Sequence, residues 1–278
     1  MGTGSRIPGP GLKRRVSITS DKGERLSSSS KISPTYSSGT YFTDTSRYSE
    51  DTAFKVRDFL GLFLPFASRH KLTVNSYIDV GCGSGEIVKV LHSSLKANGI
   101  MLREVKGYDV SPHVQALNDD VVEYVHEDFC ASDTSADLVT LFDVLEHVLD
   151  PVQFLRVVSL KCKVLVCRIP LDDSLINALR DKFKQMSVEP GHLTFLDTIS
   201  ALNLFAAAGL HVADYRYCLE FLSPSGHRSI RSKMMLPFRY LLARVSPWLL
   251  SKTLGGVSLI VAAFTESGLR DMKPRGVG

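Results

Sequence analysis

A glycine-rich turn is the segment of the sequence best suited to bind a ligand. It follows a short apolar run and carries three alternate glycines, Gly81, Gly83 and Gly85, before a helical pattern begins. Glycine lets the backbone approach a ligand closely, and the helix start supplies free N–H groups. The spacing is GxGxG rather than the GxGxxG of dinucleotide sites. Asp79 would repel a pyrophosphate but can hold a cationic amino group. The pattern favours a ligand with an ammonium and a carboxylate, although a tight turn without a ligand would show the same glycines.

A second group of reactive side chains comprises Asp143, Glu146 and His147, with His192 further along the chain. A neutral imidazole is the natural general base near pH 7. Two carboxylates and two imidazoles are also capable metal ligands. Each histidine could instead have a structural role, such as capping a helix, and the residues alone leave these interpretations open.

The elements that must position these residues alternate along the chain. Strand-like apolar runs occur at 77–80, 105–110, 121–126, 138–143, 163–169, 210–222 and 257–264. Helical patterns cover 50–68, 86–97, 112–118, 152–160, 173–185 and 197–208. Strands that alternate with helices predict an α/β fold with a doubly wound, mostly parallel sheet.

Composition and charge limit the class of protein. Of the 278 residues, 44% are hydrophobic and 22% charged, as in a globular protein. No apolar stretch suits a transmembrane helix or a secretory signal, so we expect a cytoplasmic protein. Five cysteines without a CxxC pair predict reduced thiols. Residues 1–40 are rich in Ser, Gly and basic side chains and are expected to be a disordered arm; residues 41–278 are expected to form one domain.

One stretch of that domain, residues 223–254, contains six Lys or Arg residues and no acidic residue. Apolar residues recur in it at a helical spacing, and Pro237 and Pro247 are expected to break the helix. We interpret the stretch as a basic, apolar lid for an anionic or lipid-linked acceptor, or as an interfacial helix that makes peripheral membrane contact. A packed helical insertion with solvated cations would give the same pattern.

The order of motifs resembles that of the class I S-adenosylmethionine-dependent methyltransferases over residues 50–222. IDVGCGSG at 78–85 is similar to the first motif of that family, and GYDVSP at 107–112 and HEDF at 126–129 follow the second and third strands. FDVLEHVLDP at 142–151 is similar to a subgroup that includes ubiquinone-biosynthesis, sugar and natural-product methyltransferases. The resemblance implies a Rossmann-like, seven-stranded sheet with an antiparallel last strand. The basic stretch at 223–254 lies before that strand, where the family often inserts a substrate lid, and the helical pattern at 50–68 is expected to form an N-terminal extension.

The same resemblance implies S-adenosylmethionine as the cofactor. Asp109 would accept hydrogen bonds from both ribose hydroxyls, and Asp128 with Phe129 would contact the adenine. The full set of expected cofactor-binding residues is Asp79, Gly81, Cys82, Gly83, Gly85, Asp109, Val110, Asp128, Phe129 and Asp143.

His147 and His192 are the expected catalytic bases, because an acceptor oxygen must lose its proton as it takes the methyl group. Relatives with Glu-x-x-Glu-His at this point bind a divalent cation. Here the first position is Asp143, whose side chain is shorter, so we expect no metal.

The sequence therefore predicts methyl transfer to an oxygen of a small or lipid-linked molecule, such as a sugar. The alternatives are methylation of RNA or protein, and a non-catalytic scaffold that keeps the cofactor pocket. RNA is disfavoured because residues 48–278 carry 25 basic and 26 acidic side chains, whereas RNA binding needs a continuous basic surface.

Overall fold

The computed structural model describes residues 46–224 and 230–272. The strands are β1 (Ser76–Val80), β2 (Glu104–Asp109), β3 (Glu123–His126), β4 (Ala136–Phe142), β5 (Cys162–Pro170), β6 (His211–Cys218) and β7 (Ser258–Phe264). The α-helices are α1 (Ser46–His70), α2 (Glu86–Ala97), α3 (Pro151–Ser159), α4 (Leu175–Leu179), α5 (Lys182–Val188), α6 (Thr198–Ala207), α7 (Ile230–Val245), α8 (Pro247–Thr253) and α9 (Glu266–Met272). Short 3₁₀ turns occur at Pro112–Ala116, Leu145–His147 and Glu220–Leu222. The predicted basic arm lies outside the described residues.

The strands form one seven-stranded sheet in the order β3-β2-β1-β4-β5-β7-β6. Strands β1 to β5 pair in parallel, and β7 is antiparallel to both β5 and β6. The predicted Rossmann-like sheet with an antiparallel last strand is therefore confirmed. The strand order reverses between β1 and β4, and ligands of such sheets bind where the carboxyl ends of the strands diverge at this reversal.

Helix α1 forms the predicted N-terminal extension. Apolar residues recur in it every three or four positions, which places Phe59, Phe63 and Phe66 on one buried face with α2 and β7. Fully burying a side chain of this size stabilises a fold by about 1.5–3 kcal/mol. This packing fixes Lys55, one turn before Phe59, close enough to pair with Asp143 beyond the end of β4.

Three predicted helices differ from the structure. The helix expected over 112–118 is a short 3₁₀ turn at Pro112–Ala116. The helix expected over 173–185 is two helices, α4 and α5, because Asp181 between them adopts a left-handed conformation (φ 51°). The helix expected to break at Pro237 continues through it as α7. Pro237 is exposed, so the one carbonyl that loses its helical hydrogen bond can be hydrated. The break lies at Ser246, whose hydroxyl accepts a hydrogen bond from the Leu249 N–H and caps α8.

Among the helices of residues 46–224 and 230–272, none is both long and apolar enough to cross a bilayer.

Candidate active site

A cavity of about 440 Å³ opens at the carboxyl ends of β1, β2, β4 and β5. This volume lies in the range of small-molecule sites, about 300–1,000 Å³. The predicted site residues that line it are Gly81, Cys82, Gly83, Asp109, Val110, Asp128, Phe129, Asp143, His147 and His192. Two others, Asp79 and Gly85, lie outside the cavity wall.

The glycine-rich turn is shaped by close backbone contacts. The N–H groups of Gly81 and Cys82 both donate to the Tyr108 carbonyl, at 2.8 and 3.1 Å, which holds the turn against β2. Gly81 has a φ of 76°, and a Cβ there would lie 2.6 Å from a methyl group of Val144. A Cβ here would press on the Val144 side chain in a left-handed backbone conformation that favours glycine.

Asp109 organises the same turn from the end of β2. One carboxylate oxygen accepts the Gly83 N–H and the other accepts the Ser111 N–H, both at 2.8 Å. Each oxygen has a further lone pair. Burial raises the pKa of Asp109 above its ordinary value, although the two backbone hydrogen bonds oppose this shift. A cis-diol that donates to both oxygens would suit this carboxylate.

Asp79 lies beneath the turn and is 1% exposed. Thr140 Oγ1 donates a hydrogen bond of 2.6 Å to its carboxylate. Burial raises the pKa of Asp79 to about 7. Its predicted contact with an ammonium group stays a prediction, because the side chain does not line the cavity.

Asp143 is held by two cations that sequence reasoning missed. Lys55 Nζ lies 2.8 Å from one of its oxygens, and the Arg168 guanidinium bonds the other. Burial alone would raise the pKa of Asp143, but Arg168 and Lys55 together hold it well below its ordinary value. Arg168 also pairs with Glu220, at the start of the 3₁₀ turn after β6. The sequence carried one signal for this network: Arg168 is a single charge within the buried second half of β5.

Glu146, His147 and His192 converge behind Asp143, with one ligand atom of each within 4.8 Å of the others. His147 Nδ1 is 3.1 Å from the Gly191 carbonyl. A carbonyl only accepts, so Nδ1 carries the proton and Nε2 keeps its lone pair. Burial, followed by the neighbouring His192, lowers the pKa of His147 to about 4. Burial, with Asp143 next in size, raises the pKa of Glu146 well above its ordinary value. Near pH 7 the His147 ring is therefore neutral.

His192 has a carboxylate partner that the sequence did not reveal. Its Nδ1 lies 2.8 Å from Asp172 Oδ2, so Nδ1 donates and Nε2 is left with a lone pair. The His147 and His192 rings meet edge to face with centroids 4.9 Å apart. Asp172 falls in the loop after β5, in a stretch of the sequence with no motif. The pair has the geometry of a general base held in one tautomer by an acid.

Comparison with known proteins identifies the family of this chain. Residues 51–215 match the family described as a methyltransferase domain. The chain belongs to that family. No curated protein matches it.

Solved methyltransferases share the fold of the enzyme. A chain in the complex of the Haloferax volcanii methyltransferase activator Trm112 with a methyltransferase is 17% identical, with a TM-score of 0.53, and the match covers 82% of this chain and 97% of that one. A SAM-dependent methyltransferase of Thermotoga maritima is 13% identical, with a TM-score of 0.50, over 82% and 97% of the two chains. The plantazolicin methyltransferase BpumL, solved with a pentazolic analogue and SAH, is 13% identical, with a TM-score of 0.50, over 82% and 89%.

The methyl donor of the enzyme is S-adenosylmethionine, and the cavity fits it. The positive-φ turn at Gly81 and Gly83 leaves room for backbone contact with the ligand. Asp109 offers paired acceptors for a ribose diol, and buried Phe129 lies beside Asp128 at the neighbouring part of the wall. These residues would hold the cofactor, which supplies the electrophilic methyl group when bound.

The trio of Glu146, His147 and His192 is also the group that could hold a divalent cation within the described part of the chain. Asp143 is not part of this group, and its carboxylate is already paired with Lys55 and Arg168. The Arg168 charge acts on Glu146 as well, which disfavours a second cation nearby. The absence of a catalytic metal stays a prediction.

Proposed function

We propose that the enzyme methylates an oxygen of a small or lipid-linked acceptor, such as a sugar, with His192 as the general base. The hydrogen bond from His192 Nδ1 to Asp172 is the observation that carries this proposal. It leaves Nε2 as the proton-accepting atom, and His192 lines the same cavity as the glycine-rich turn.

The two histidines have different parts in this mechanism. His192 Nε2 would take the hydroxyl proton of the acceptor as its oxygen bonds to the methyl carbon. The bond that breaks is the methyl–sulfur bond of S-adenosylmethionine, which leaves as SAH. Asp172 fixes the tautomer of His192 and stabilises its imidazolium; Asp172 is therefore a positioning residue. General base catalysis of this kind contributes about 10²–10⁴ in rate. His147 stays neutral and is anchored to Gly191, so it fills the wall beside the base.

The wall beyond the base supports a neutral, hydroxylated acceptor. Lys55, Arg168, Glu220 and Ser258 line the cavity there. The cations are already paired with Asp143 and Glu220, so this end is polar but nearly balanced in charge. Such a surface hydrogen-bonds hydroxyl groups without demanding a charged ligand.

Transfer of a radiolabelled methyl group tests the proposal. The enzyme is incubated with methyl-labelled S-adenosylmethionine and with separate pools of free sugars, lipid-linked saccharides, phenols, RNA and protein. We expect label in a hydroxylated small-molecule or lipid-linked pool. Label confined to RNA or protein would contradict the proposed substrate class.

Variants then test the base. His192→Asn should lower turnover by about 100-fold or more, with SAH affinity within about twofold of the parent. Asp172→Asn should lower kcat less, and Asp172→Glu should recover part of the loss. His211→Asn, on the exposed start of β6, is the matched control. Parental turnover in His192→Asn would show that another group removes the proton.

A further inference from the structure

Helix α7 is apolar on two opposite sides. Leu236, Leu242 and Ala243 pack inward on the core. An outward stripe is 63–79% exposed and consists of Ile230, Met234, Phe238, Leu241 and Val245. At 3.6 residues per turn, these five positions fall within an arc of about 80°. The inward face already accounts for the packing of the helix, so the fold does not explain the outward stripe.

The charged side chains that border the stripe are basic. Lys233 and Arg244 are exposed and border the stripe on the same flank. The other described cations of this stretch are engaged, since Arg239 donates to the Leu254 carbonyl at 2.9 Å and Lys252 pairs with Asp197. The sequence has no Asp or Glu from residue 221 to residue 265. The surface therefore suits a partner that is apolar and anionic.

The positive charge distinguishes between the possible partners of this surface. A second copy that docked through the same face would set its cations against these. Residues 1–45 of the chain itself carry seven basic and three acidic side chains, so they are repelled as well. An anionic bilayer takes up the apolar stripe and attracts the cations together. Trp248 and Leu249, 48% and 38% exposed, follow α7 in the chain. Trp248 supplies an aromatic ring of the kind found at bilayer interfaces.

Helix α7 contacts the chain segments at one end of the cavity through its inward side. The Arg239 guanidinium joins α7 to residues 254–256, because it bonds Leu254 and lies over Gly256. The Gly256 carbonyl accepts the Phe221 N–H at 3.0 Å. The neighbours of these residues, Glu220 and Ser258, line the cavity.

We propose that the outward face of α7, extended by Trp248 and Leu249, rests in the interface of an anionic lipid bilayer and presents the cavity to an acceptor carried there. The role of the acceptor rests on the proposed function, whereas bilayer binding does not require methyl transfer.

Vesicle co-sedimentation of the full chain tests the surface. Vesicles of phosphatidylcholine alone are compared with equimolar phosphatidylcholine and phosphatidylglycerol. We expect binding to the mixed vesicles, weakened by salt, and binding to phosphatidylcholine at least about tenfold weaker. Met234→Ser/Phe238→Ser/Leu241→Ser should bind the mixed vesicles at least about tenfold less than the parent. Lys233→Gln/Arg244→Gln should lose most of the preference for phosphatidylglycerol.

The matched control is Met101→Ser/Leu160→Ser, which alters comparably exposed apolar residues just before β2 and β5, at the end of the strands opposite the cavity. It should bind as the parent does. SAH affinity and the unfolding midpoint are measured for every variant, so a folding defect or loss of the cofactor site is distinguished from loss of lipid binding. Equal binding by the triple serine variant and the parent, or no vesicle binding by the parent, would overturn the proposal. A parent dimer that the triple serine variant loses would assign the stripe to a second copy instead.

Discussion

Burial of His147 makes the stability of the enzyme depend on pH. Its pKa falls from an ordinary value of 6.5 to about 4 in the folded chain. The unfolded state therefore binds more protons between these values, and stability rises with pH through this window. The stability that depends on the neutral His147 ring is almost fully present above pH 6.5 and is lost as the pH falls toward 4. A shift of this size is worth about 3 kcal/mol in full, and about 2.5 kcal/mol between pH 7.5 and pH 4.5.

The perturbation is His147→Asn, which keeps a donor for the Gly191 carbonyl and removes the titrating ring. The free energy of unfolding is measured by urea denaturation from pH 4.5 to pH 7.5. The difference between parent and variant should change by about 2.5 kcal/mol across this range, with the parent losing stability in acid. His211→Asn, at an exposed site, should show no such change. A difference that stays constant with pH would refute the claim that His147 is buried in its neutral form.

Other predictions concern the turn and the metal. Gly81→Ala should destabilise the fold by more than about 1–2 kcal/mol and abolish SAH binding, because its Cβ would meet Val144 at 2.6 Å in a left-handed conformation. Gly99→Ala is the control in thermal unfolding and titration, since Gly99 has a similar φ of 82° but open space around it and should keep SAH affinity. Turnover should survive exhaustive treatment with EDTA; a loss that Mg²⁺ or Mn²⁺ restores would make Glu146, His147 and His192 metal ligands.

The parts of the fold that follow local pattern could be predicted from the sequence. Helix α2 begins and ends as expected at Glu86 and Ala97, because a glycine turn precedes it and its apolar positions recur at helical spacing. The order of strands and the family motifs likewise placed Asp109 and Phe129 at the cavity. Each of these features depends on a few neighbouring residues.

The electrostatic network could not be predicted, because its members are far apart in the chain. Lys55, Asp143 and Glu220 come from α1, from the end of β4 and from the turn after β6, and they meet only when the sheet brings them to Arg168. Pairing with Asp172 is likewise a tertiary contact, twenty residues before His192. Side-chain partners at such separations depend on topology, which sequence periodicity does not encode.

The central claim is that the cavity at the glycine-rich turn binds S-adenosylmethionine through Asp109. Isothermal titration of SAH into the parent and into Asp109→Ala tests it most directly, with Asp120→Ala, an exposed acid outside the cavity, as control. We expect saturable binding to the parent and the control. Affinity should fall about 10- to 150-fold in Asp109→Ala, since charge-assisted hydrogen bonds are worth about 1.5–3 kcal/mol. No SAH binding by the parent, tighter binding of NADH, or unchanged affinity in a folded Asp109→Ala would contradict the account.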